Sequence, residues 1–283
     1  MSRVFAIGDI HGEAEKLSVA LSHLTARVRP YDTVVFLGDY IDRGPNSSDV
    51  IQQLIKFKKR HGQTVFLRGN HEDMFLRTYI EPDDQKEMRW IANGGHTTLM
   101  SFKAHGRNDW RRRMPRWALE FISDTQMEFL SERYHFVHAG ILPPGTESGL
   151  APGQDIRLWI REPFLKSNFT QGRTIVFGHT IQHSGVPLVQ QNKVGLDTGA
   201  CVPGGRLTVA CFNDLRSQVG LPKFEYYQVL GDGSVVSQEF AGEELSQIGA
   251  PVPAMAHPIQ PTYTIGEPAK RPLFFWQTKA GHL

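Results

Sequence analysis

The sequence predicts an α/β fold whose first part contains a largely parallel sheet, and three observations support it. Short β-branched runs at residues 3–8, 33–38 and 64–69 each end at a glycine, as buried strands commonly do. Apolar residues recur at helical spacing between these runs, over residues 17–28 and 50–55. Strands and helices alternate at roughly 30-residue intervals, a pattern typical of right-handed βαβ units.

A mostly helical stretch follows, from about residue 71 to residue 130, and we expect it to form a cap. Beyond it the apolar runs return, and we predict further strands at residues 134–140, 174–180, 193–199, 206–212, 224–230 and 234–240. The last two runs are joined by Gly231-Asp232-Gly233, which predicts a hairpin. The second half is therefore expected to be richer in antiparallel strands.

We divide the chain into one domain, residues 1–241, and a proline-rich C-terminal arm, residues 242–283. The arm ends in the apolar segment PLFFW at 272–276, whose aromatic side chains are costly to leave in water. We therefore expect the arm to dock on the core or on a second copy of the chain, which would form a homo-oligomer. A disordered tail is the alternative.

The composition excludes several classes of protein. Hydrophobic residues make up 40% and charged residues 21% of the 283 residues, and the formal net charge is +2. These values do not indicate disorder, a membrane protein or a dedicated nucleic-acid binder. The N-terminus has no signal-peptide pattern, so we expect a cytoplasmic protein. Cys201 and Cys211 form neither a disulfide framework nor a zinc knuckle and are predicted to be buried.

Polar residues follow the predicted strands, at the place where parallel sheets bind ligands. They are Asp9 and His11 in GDIHG, Asp39, Asp42 and Arg43 in GDYIDRG, Asn70 and His71 in GNHE, His138 in VHAG, and His179 in FGHT. Carboxylate, imidazole and amide groups suit hard or borderline divalent cations. The set favours a pair of such ions, which is the usual arrangement for two-metal phosphate hydrolysis.

Each of these motifs has a simpler explanation when taken alone. An aspartate after a strand commonly caps a helix, and a single histidine is more often a surface or core residue than a ligand. Turn chemistry, however, gives no reason for Asp-x-His, Asp-x-x-Asp-Arg and Asn-His to follow consecutive strands in that order. The joint pattern therefore indicates a functional site.

The motifs GDIHG, GDYIDRG, GNHE, HAG and GHT, in this order, resemble those of the calcineurin-like metallophosphoesterases. Within them, the chain is similar to the bacterial and phage branch of the phosphoprotein phosphatase family of serine/threonine phosphatases. The similarity runs from about Arg3 to Phe212 and includes WIANGGHTTLMSF (90–102), LWIRE (158–162) and LDTGA (196–200). It implies a four-layer αββα sandwich of two mixed sheets flanked by helices, with residues 1–241 as its catalytic domain.

The resemblance also implies a set of ligands for two divalent metal ions. Asp9 and His11 would bind the first ion, Asp39 would bridge the two, and Asn70, His138 and His179 would bind the second. Manganese is the expected metal, with iron, zinc or nickel as alternatives.

Four further residues receive roles from the resemblance. Arg43 and Arg161 would bind the phosphate. His71 would be the general acid, oriented by Asp42, which would raise the pKa of His71 so that it stays protonated near neutral pH. The alternative, a surface ion pair between Asp42 and Arg43, leaves their place after a strand unexplained.

The function implied is a metal-dependent phosphomonoesterase, namely a serine/threonine protein phosphatase. Its substrate would be a phosphorylated protein or a small phosphomonoester, attacked by a hydroxide bound to two metal ions. Symmetrical dinucleoside tetraphosphate hydrolases share the first three motifs, and Asp42 disfavours them because a phosphate leaving group needs less help from an acid. An inactive scaffold is the third alternative, and it is disfavoured because every ligand position is filled.

Two segments outside these motifs are predicted to have structural roles. The basic run between Arg107 and Arg116 is expected to be a solvated helix face, with steering of acidic substrates as the alternative. Gly94 and Gly95 are expected to end a helix in the left-handed conformation.

Overall fold

The computed structural model describes residues 3–214 and 224–240, and the predicted C-terminal arm lies outside the described residues. The strands are β1 (Arg3–Ile7), β2 (Thr33–Phe36), β3 (Thr64–Phe66), β4 (Glu128–Leu130), β5 (Tyr134–Val137), β6 (Thr174–Phe177), β7 (Leu188–Val189), β8 (Lys193–Gly195), β9 (Leu207–Asn213), β10 (Phe224–Val229) and β11 (Val235–Phe240). The helices are α1 (Ala14–Thr25), α2 (Ser47–Arg60), α3 (Asn70–Ile80), α4 (Asp84–Trp90), α5 (His96–Ser101), α6 (Trp110–Arg113), α7 (Arg116–Ser123) and α8 (Ile156–Trp159), with a π-helical turn, Ile91–Gly95, between α4 and α5.

The first sheet has the strand order β11-β10-β9-β1-β2-β3. β1, β2 and β3 run parallel, as the alternation of strands and helices predicts, and β9 pairs antiparallel with β1. β10 and β11 form the predicted antiparallel hairpin. The carboxyl ends of the three parallel strands therefore lie at one edge of this sheet.

The second sheet has the strand order β4-β5-β6-β8-β7. β5, β6 and β8 are parallel, while β4 and β7 are antiparallel edge strands. Every apolar run predicted to be a strand is present, but β4 and β7 are missing from the prediction. They are two or three residues long and not fully buried, so they lack the apolar run that identifies the other strands.

The two sheets pack face to face, and helices cover the outer face of the first. Successive side chains of β1 show the arrangement: Phe5 and Ile7 pack with the helices, whereas Val4 and Ala6 pack in the cluster that contains Phe136 of the second sheet. Both faces of β1 are buried, which explains its continuous apolar run. A third cluster joins the second sheet to α8 and its flanking loops. The predicted four-layer αββα sandwich is confirmed.

The helices of the predicted cap, α3 to α7, lie between Asn70 and Ser123, and the cap is expected to end at about residue 130. The last three residues form β4 because their backbone pairs with β5. Within the cap, Gly94 has a φ of 107°, as predicted, but Gly95 has a right-handed helical φ of −60°, so the prediction is wrong for Gly95. Arg113 and Arg116 are exposed and pair with acidic residues of their own segment, in agreement with a solvated face. Arg111 does not agree with that prediction, because it is only partly exposed and donates to Glu87 and to the Thr78 carbonyl oxygen.

Two predictions from the composition can be compared with the structure. Among the described residues, no helix has the length and apolar character needed to cross a membrane. Cys201 and Cys211 are free thiols, but both are only partly buried, so the prediction of full burial is wrong.

Candidate metal centre and active site

The polar residues predicted from the strand ends lie together at the edge where the parallel strands of both sheets end. They occupy the loops that follow β1, β2, β5 and β6 and the first turn of α3, which follows β3, and short contacts join these segments to one another. The proposed metal ligands and the His71–Asp42 pair are buried, whereas Arg43 and Arg161 are exposed.

The backbone is strained at several of these residues. His11, Asp39, Asp42, Arg43 and His179 have φ values between 46° and 71°, in the left-handed region that non-glycine residues rarely adopt. Such a conformation costs on the order of 1–3 kcal/mol and persists only where the surrounding contacts determine it. The strain is thus concentrated in the loops that orient the candidate functional side chains.

Asp39 lies at the centre of the site, between two groups of side chains able to bind metal. Among the described residues, potential ligand atoms of His11, Asp39 and His71 lie within 4.8 Å of one another, as do those of Asp39, His138 and His179. Burial alone would raise the pKa of Asp39, but positive charge beside it, from protonated histidine rings or from a cation bound in their place, lowers this pKa well below its usual range. An ionised carboxylate shared by both groups occupies the place of the predicted bridging ligand.

Backbone carbonyl groups orient the rings of His11 and His138. His11 Nδ1 is 3.0 Å from the Ile41 oxygen, and His138 Nδ1 is 2.8 Å from the Leu37 oxygen. Because a carbonyl oxygen only accepts, each Nδ1 carries the proton and each Nε2 offers a lone pair. These Nε2 atoms lie 3.4 and 3.5 Å from Asp39 Oδ2. Lone pairs that face a carboxylate repel it unless a cation lies between them, so the donor set fits a metal ion.

The Asn70 amide lies between the two histidines of the group formed by Asp39, His138 and His179. Its Oδ1 is 3.0 Å from His138 Nε2 and 3.0 Å from His179 Nδ1. Burial lowers the pKa of both histidines, which favours neutral rings with a lone pair available for a metal. This mixture of amide oxygen and imidazole nitrogen suits a borderline divalent cation.

Asp9 is held by the backbone of the loop after β6. The N–H of His179 donates to its two carboxylate oxygens at 3.2 and 3.0 Å, and a Cβ at Gly178 would collide with it. Burial and the carboxylates of Asp197 and Asp39 raise the pKa of Asp9 well above its usual range, and a cation would reverse that shift. Asp9 lies outside both groups of three, so its role as a ligand of the first ion stays a prediction.

His71 and Asp42 form a buried pair beside Asp39. His71 Nδ1 donates to Asp42 Oδ2 at 2.8 Å, so the predicted hydrogen bond is present. His71 Nε2 is buried and has no hydrogen-bond partner in the described part of the chain. Burial alone would lower the pKa of His71, but the two carboxylates raise it above its usual value. Because His71 also belongs to a candidate metal-binding group, its role as the general acid stays a prediction.

Arg43 and Arg161 contact residues of the site from its exposed side. Arg43 Nη1 donates to His11 Nε2 at 2.9 Å, and Arg161 Nη2 donates to the His179 carbonyl oxygen at 3.3 Å. Partial burial and the charge of Arg43 lower the pKa of Arg161. Two neighbouring guanidinium groups are stabilised by an anion between them, and phosphate fits their paired donors.

Glu72, for which the sequence predicts no role, organises the loop after β2. Its Oε2 accepts from the N–H groups of Gly69 and Asp39 at 2.9 Å each, and its Oε1 accepts from Tyr40 at 2.9 Å and Ile41 at 3.3 Å. This buried carboxylate therefore fixes the backbone that carries Asp39. A signal was present in GNHE, since glutamate at the third position of a helix commonly binds the N–H of the capping residue.

A family model described as calcineurin-like phosphoesterase matches residues 2–210. The chain belongs to this family. Its members are phosphoester hydrolases with a dinuclear metal centre, and the two groups that share Asp39 offer ligands for such a centre.

Individual relatives match over shorter stretches. Serine/threonine-protein phosphatase 2 of Escherichia coli is 36% identical over 94 residues, which cover 32% of this chain and 38% of that protein. A PP2A-like serine/threonine-protein phosphatase of Candida albicans is 38% identical over 78 residues, which cover 27% of this chain and 18% of that protein. The matches therefore span less than two fifths of either relative's length.

A solved structure extends the likeness over most of the chain. The crystal structure of a proposed diadenosine tetraphosphatase has a TM-score of 0.50 and 20% sequence identity, and the match covers 84% of this chain and 93% of that one. At this identity the likeness concerns the fold alone.

Proposed function

We propose that this protein is a metal-dependent phosphomonoesterase that acts on phosphoserine and phosphothreonine in proteins. The observation that carries the proposal is the His71–Asp42 pair, which is buried beside the Asp39 carboxylate. A serine or threonine alkoxide is strongly basic and needs a proton as it leaves, and His71 Nε2 is available to supply one. The two sequence relatives described above are serine/threonine phosphatases, which supports a protein substrate.

Each group at the site then has a task. Two divalent ions, held by Asp39 and the residues around it, would neutralise phosphate charge and activate a water molecule when bound. Arg43 and Arg161 would bind phosphate oxygens and keep the phosphorus in line with the leaving oxygen. His71 would transfer its Nε2 proton to that oxygen as the P–O bond breaks, and would regain a proton from solvent. Asp42 would keep the ring oriented through Nδ1.

The competing function is hydrolysis of a phosphoanhydride, as in symmetrical dinucleoside tetraphosphates. A phosphate leaving group is weakly basic, so an acid paired with a buried aspartate would contribute little to that reaction. The likeness to a proposed diadenosine tetraphosphatase concerns the fold and does not distinguish the two substrates. The His71–Asp42 pair therefore favours the monoester.

Steady-state kinetics of the manganese-loaded protein test the proposal. We expect kcat/KM for phosphoserine and phosphothreonine peptides to exceed that for diadenosine tetraphosphate by roughly tenfold or more, which corresponds to about 1.4 kcal/mol in transition-state binding. A phosphotyrosine peptide tests the choice of residue. A preference for diadenosine tetraphosphate would overturn the proposal in favour of the anhydride. No turnover of any substrate, with two ions bound, would indicate a scaffold.

A further inference from the structure

The carboxylate of Asp42 binds two donors besides His71. Trp90 Nε1 donates to Asp42 Oδ2 at 2.8 Å, on the same oxygen that accepts from His71. Thr98 Oγ1 donates to Asp42 Oδ1 at 2.6 Å and accepts from the Asp42 N–H at 2.9 Å. All four side chains are completely buried, so water does not replace a lost donor easily. Both oxygens of Asp42 are thus held in place by residues from the cap.

The turn between α4 and α5 brings these two donors to the same carboxylate. At Gly95 a Cβ would collide with the Trp90 indole, and at Gly94 it would lie 2.8 Å from the Arg43 nitrogen. The Gly94 oxygen also accepts from the Arg43 N–H at 3.3 Å. Gly94 therefore lets the turn pack directly against the loop that carries Asp42, and Gly95 leaves room for the Trp90 indole.

We infer that Trp90 and Thr98 are positioning residues for proton donation, which they influence through Asp42 and His71. The inference rests on the proposed function, because it assigns a purpose to the orientation of His71. With both oxygens anchored, the plane of the Asp42 carboxylate is fixed and Oδ2 stays in line with His71 Nδ1. The opposite nitrogen then points consistently at the leaving oxygen. If either anchor is lost, the ring samples other orientations and fewer of them transfer the proton.

A purely structural role for Trp90 is the competing explanation, because its indole also packs against Phe75 and Trp110 in the core. Trp110 offers a matched control. It is 2% exposed, its ring centroid is 5.4 Å from that of Trp90, and its Nε1 donates at 2.9 Å to Glu87 rather than to Asp42. Trp90→Phe and Trp110→Phe each remove one indole N–H and leave an aromatic ring, but only the first removes an anchor of Asp42.

The kinetic test compares these variants with Thr98→Val and Thr98→Ser on a phosphoserine peptide and a series of aryl phosphates. We expect Trp90→Phe and Thr98→Val to lose roughly tenfold in kcat on the peptide, and about twofold on p-nitrophenyl phosphate, whose leaving group needs little protonation. The dependence of rate on leaving-group basicity should steepen. Thr98→Ser keeps the hydroxyl and should restore the wild-type dependence, and Trp110→Phe should not alter it.

Proton NMR of the zinc-loaded protein gives a second measurement that does not require turnover. The His71 Nδ1 proton, shared with a buried carboxylate, should give a low-field signal that is lost or broadened by exchange in Trp90→Phe and Thr98→Val. Trp110→Phe and Thr98→Ser should keep it. Metal content and melting temperature, measured on the same samples, identify variants that have lost ions or failed to fold.

The outcomes separate this inference from the proposed function. Equal losses on all leaving groups, the same change in Trp110→Phe, or an unchanged His71 signal in Trp90→Phe would each overturn the positioning role. A wild-type protein inactive on every monoester would overturn the proposed function. The NMR comparison would then still decide whether Trp90 and Thr98 hold the pair.

Discussion

Asp39 and Asp42 lie three residues apart on the loop after β2, and their carboxylates have opposite surroundings. Both are buried, and both have a left-handed backbone. Asp39 Oδ2 faces the Nε2 atoms of His11 and His138, which offer lone pairs because each Nδ1–H donates to a backbone carbonyl oxygen. The surroundings of this oxygen therefore suit a cation.

The carboxylate of Asp42 is instead surrounded by donors. His71 and Trp90 donate to one oxygen, and Thr98 donates to the other. To bind a metal, Asp42 would have to give up hydrogen bonds in a fully buried place, at a cost of about 1–3 kcal/mol for each group left unpaired. Two aspartates on one loop thus differ in chemistry. Side-chain donors fill both oxygens of Asp42, whereas Asp39 accepts the His71 N–H on Oδ1 at 3.1 Å and its Oδ2 faces imidazole lone pairs. The predictions below test this difference, from the largest expected effect to the smallest.

Asp39→Asn should have the largest effect. The amide is neutral and would bridge two cations poorly, so we expect the bound metal to fall below two ions and turnover of every substrate to fall by about 10³-fold or more. Metal analysis and kinetics on the same preparation measure both. Asp32→Asn is the control, because Asp32 is also buried but pairs with Arg3 away from the site. Two ions and normal turnover in Asp39→Asn would contradict the bridging role.

His71→Asn should have an effect that depends on the leaving group. We expect phosphopeptide turnover to fall by roughly 10²–10⁴-fold, the usual range for one acid–base residue, and p-nitrophenyl phosphate turnover to fall considerably less. Two ions should remain bound, because Asn70 rather than His71 is the proposed ligand. His135→Asn, at a buried histidine paired with Glu128, is the control. Loss of an ion from His71→Asn would show that His71 is a ligand.

Some strands and the gathering of polar residues at the site could be predicted from the sequence, whereas the edge strands could not. Strands with an apolar run could be predicted because burial on one or both faces leaves a local pattern. The edge strands Glu128–Leu130 and Leu188–Val189 could not, because their pairing depends on neighbours distant in the chain. The gathering of polar residues could be predicted from one rule, that parallel strands end at a common edge.

The residues that support the site could not be predicted in this way. Trp90 and Thr98 lie 48 and 56 positions from Asp42, and no local pattern indicates that contact. A buried tryptophan in a helix is explained equally well by core packing. Glu72 left a helix-start signal, but its three bonds to the loop after β2 span more than 30 positions. Contacts of this kind arise from tertiary packing, which sequence periodicity does not encode.

Asp42→Asn should follow the same order of substrates as His71→Asn, with smaller losses. The amide keeps the shape of the carboxylate but loses its charge, so it holds the protonated His71 ring less well. We expect phosphopeptide turnover to fall by roughly 10–10²-fold and p-nitrophenyl phosphate turnover to fall by less. Two ions should remain bound. A loss of metal equal to that of Asp39→Asn would mean that the two aspartates do not differ as the geometry indicates.

Ser47→Ala should have the smallest effect, because it removes a contact one step beyond the carboxylate. Ser47 Oγ accepts from the Asp42 N–H at 3.2 Å and lies 3.1 Å from Thr98 Oγ1. The Asp42 N–H keeps the Thr98 oxygen as an acceptor at 2.9 Å, so it stays satisfied. We expect the free energy of unfolding to fall by about 1 kcal/mol and phosphopeptide turnover to fall by less than about threefold.

Urea unfolding and kinetics on the same variant check that expectation. Ser101→Ala is the matched control, because Ser101 Oγ accepts from the Ser48 N–H at 2.9 Å and also links α2 to α5. It should cost similar stability and leave turnover unchanged. If Ser47→Ala instead lost as much turnover as Asp42→Asn, the orientation of Asp42 would depend on the whole hydrogen-bonded chain. The two direct donors, Trp90 and Thr98, would then be insufficient to hold the carboxylate in place.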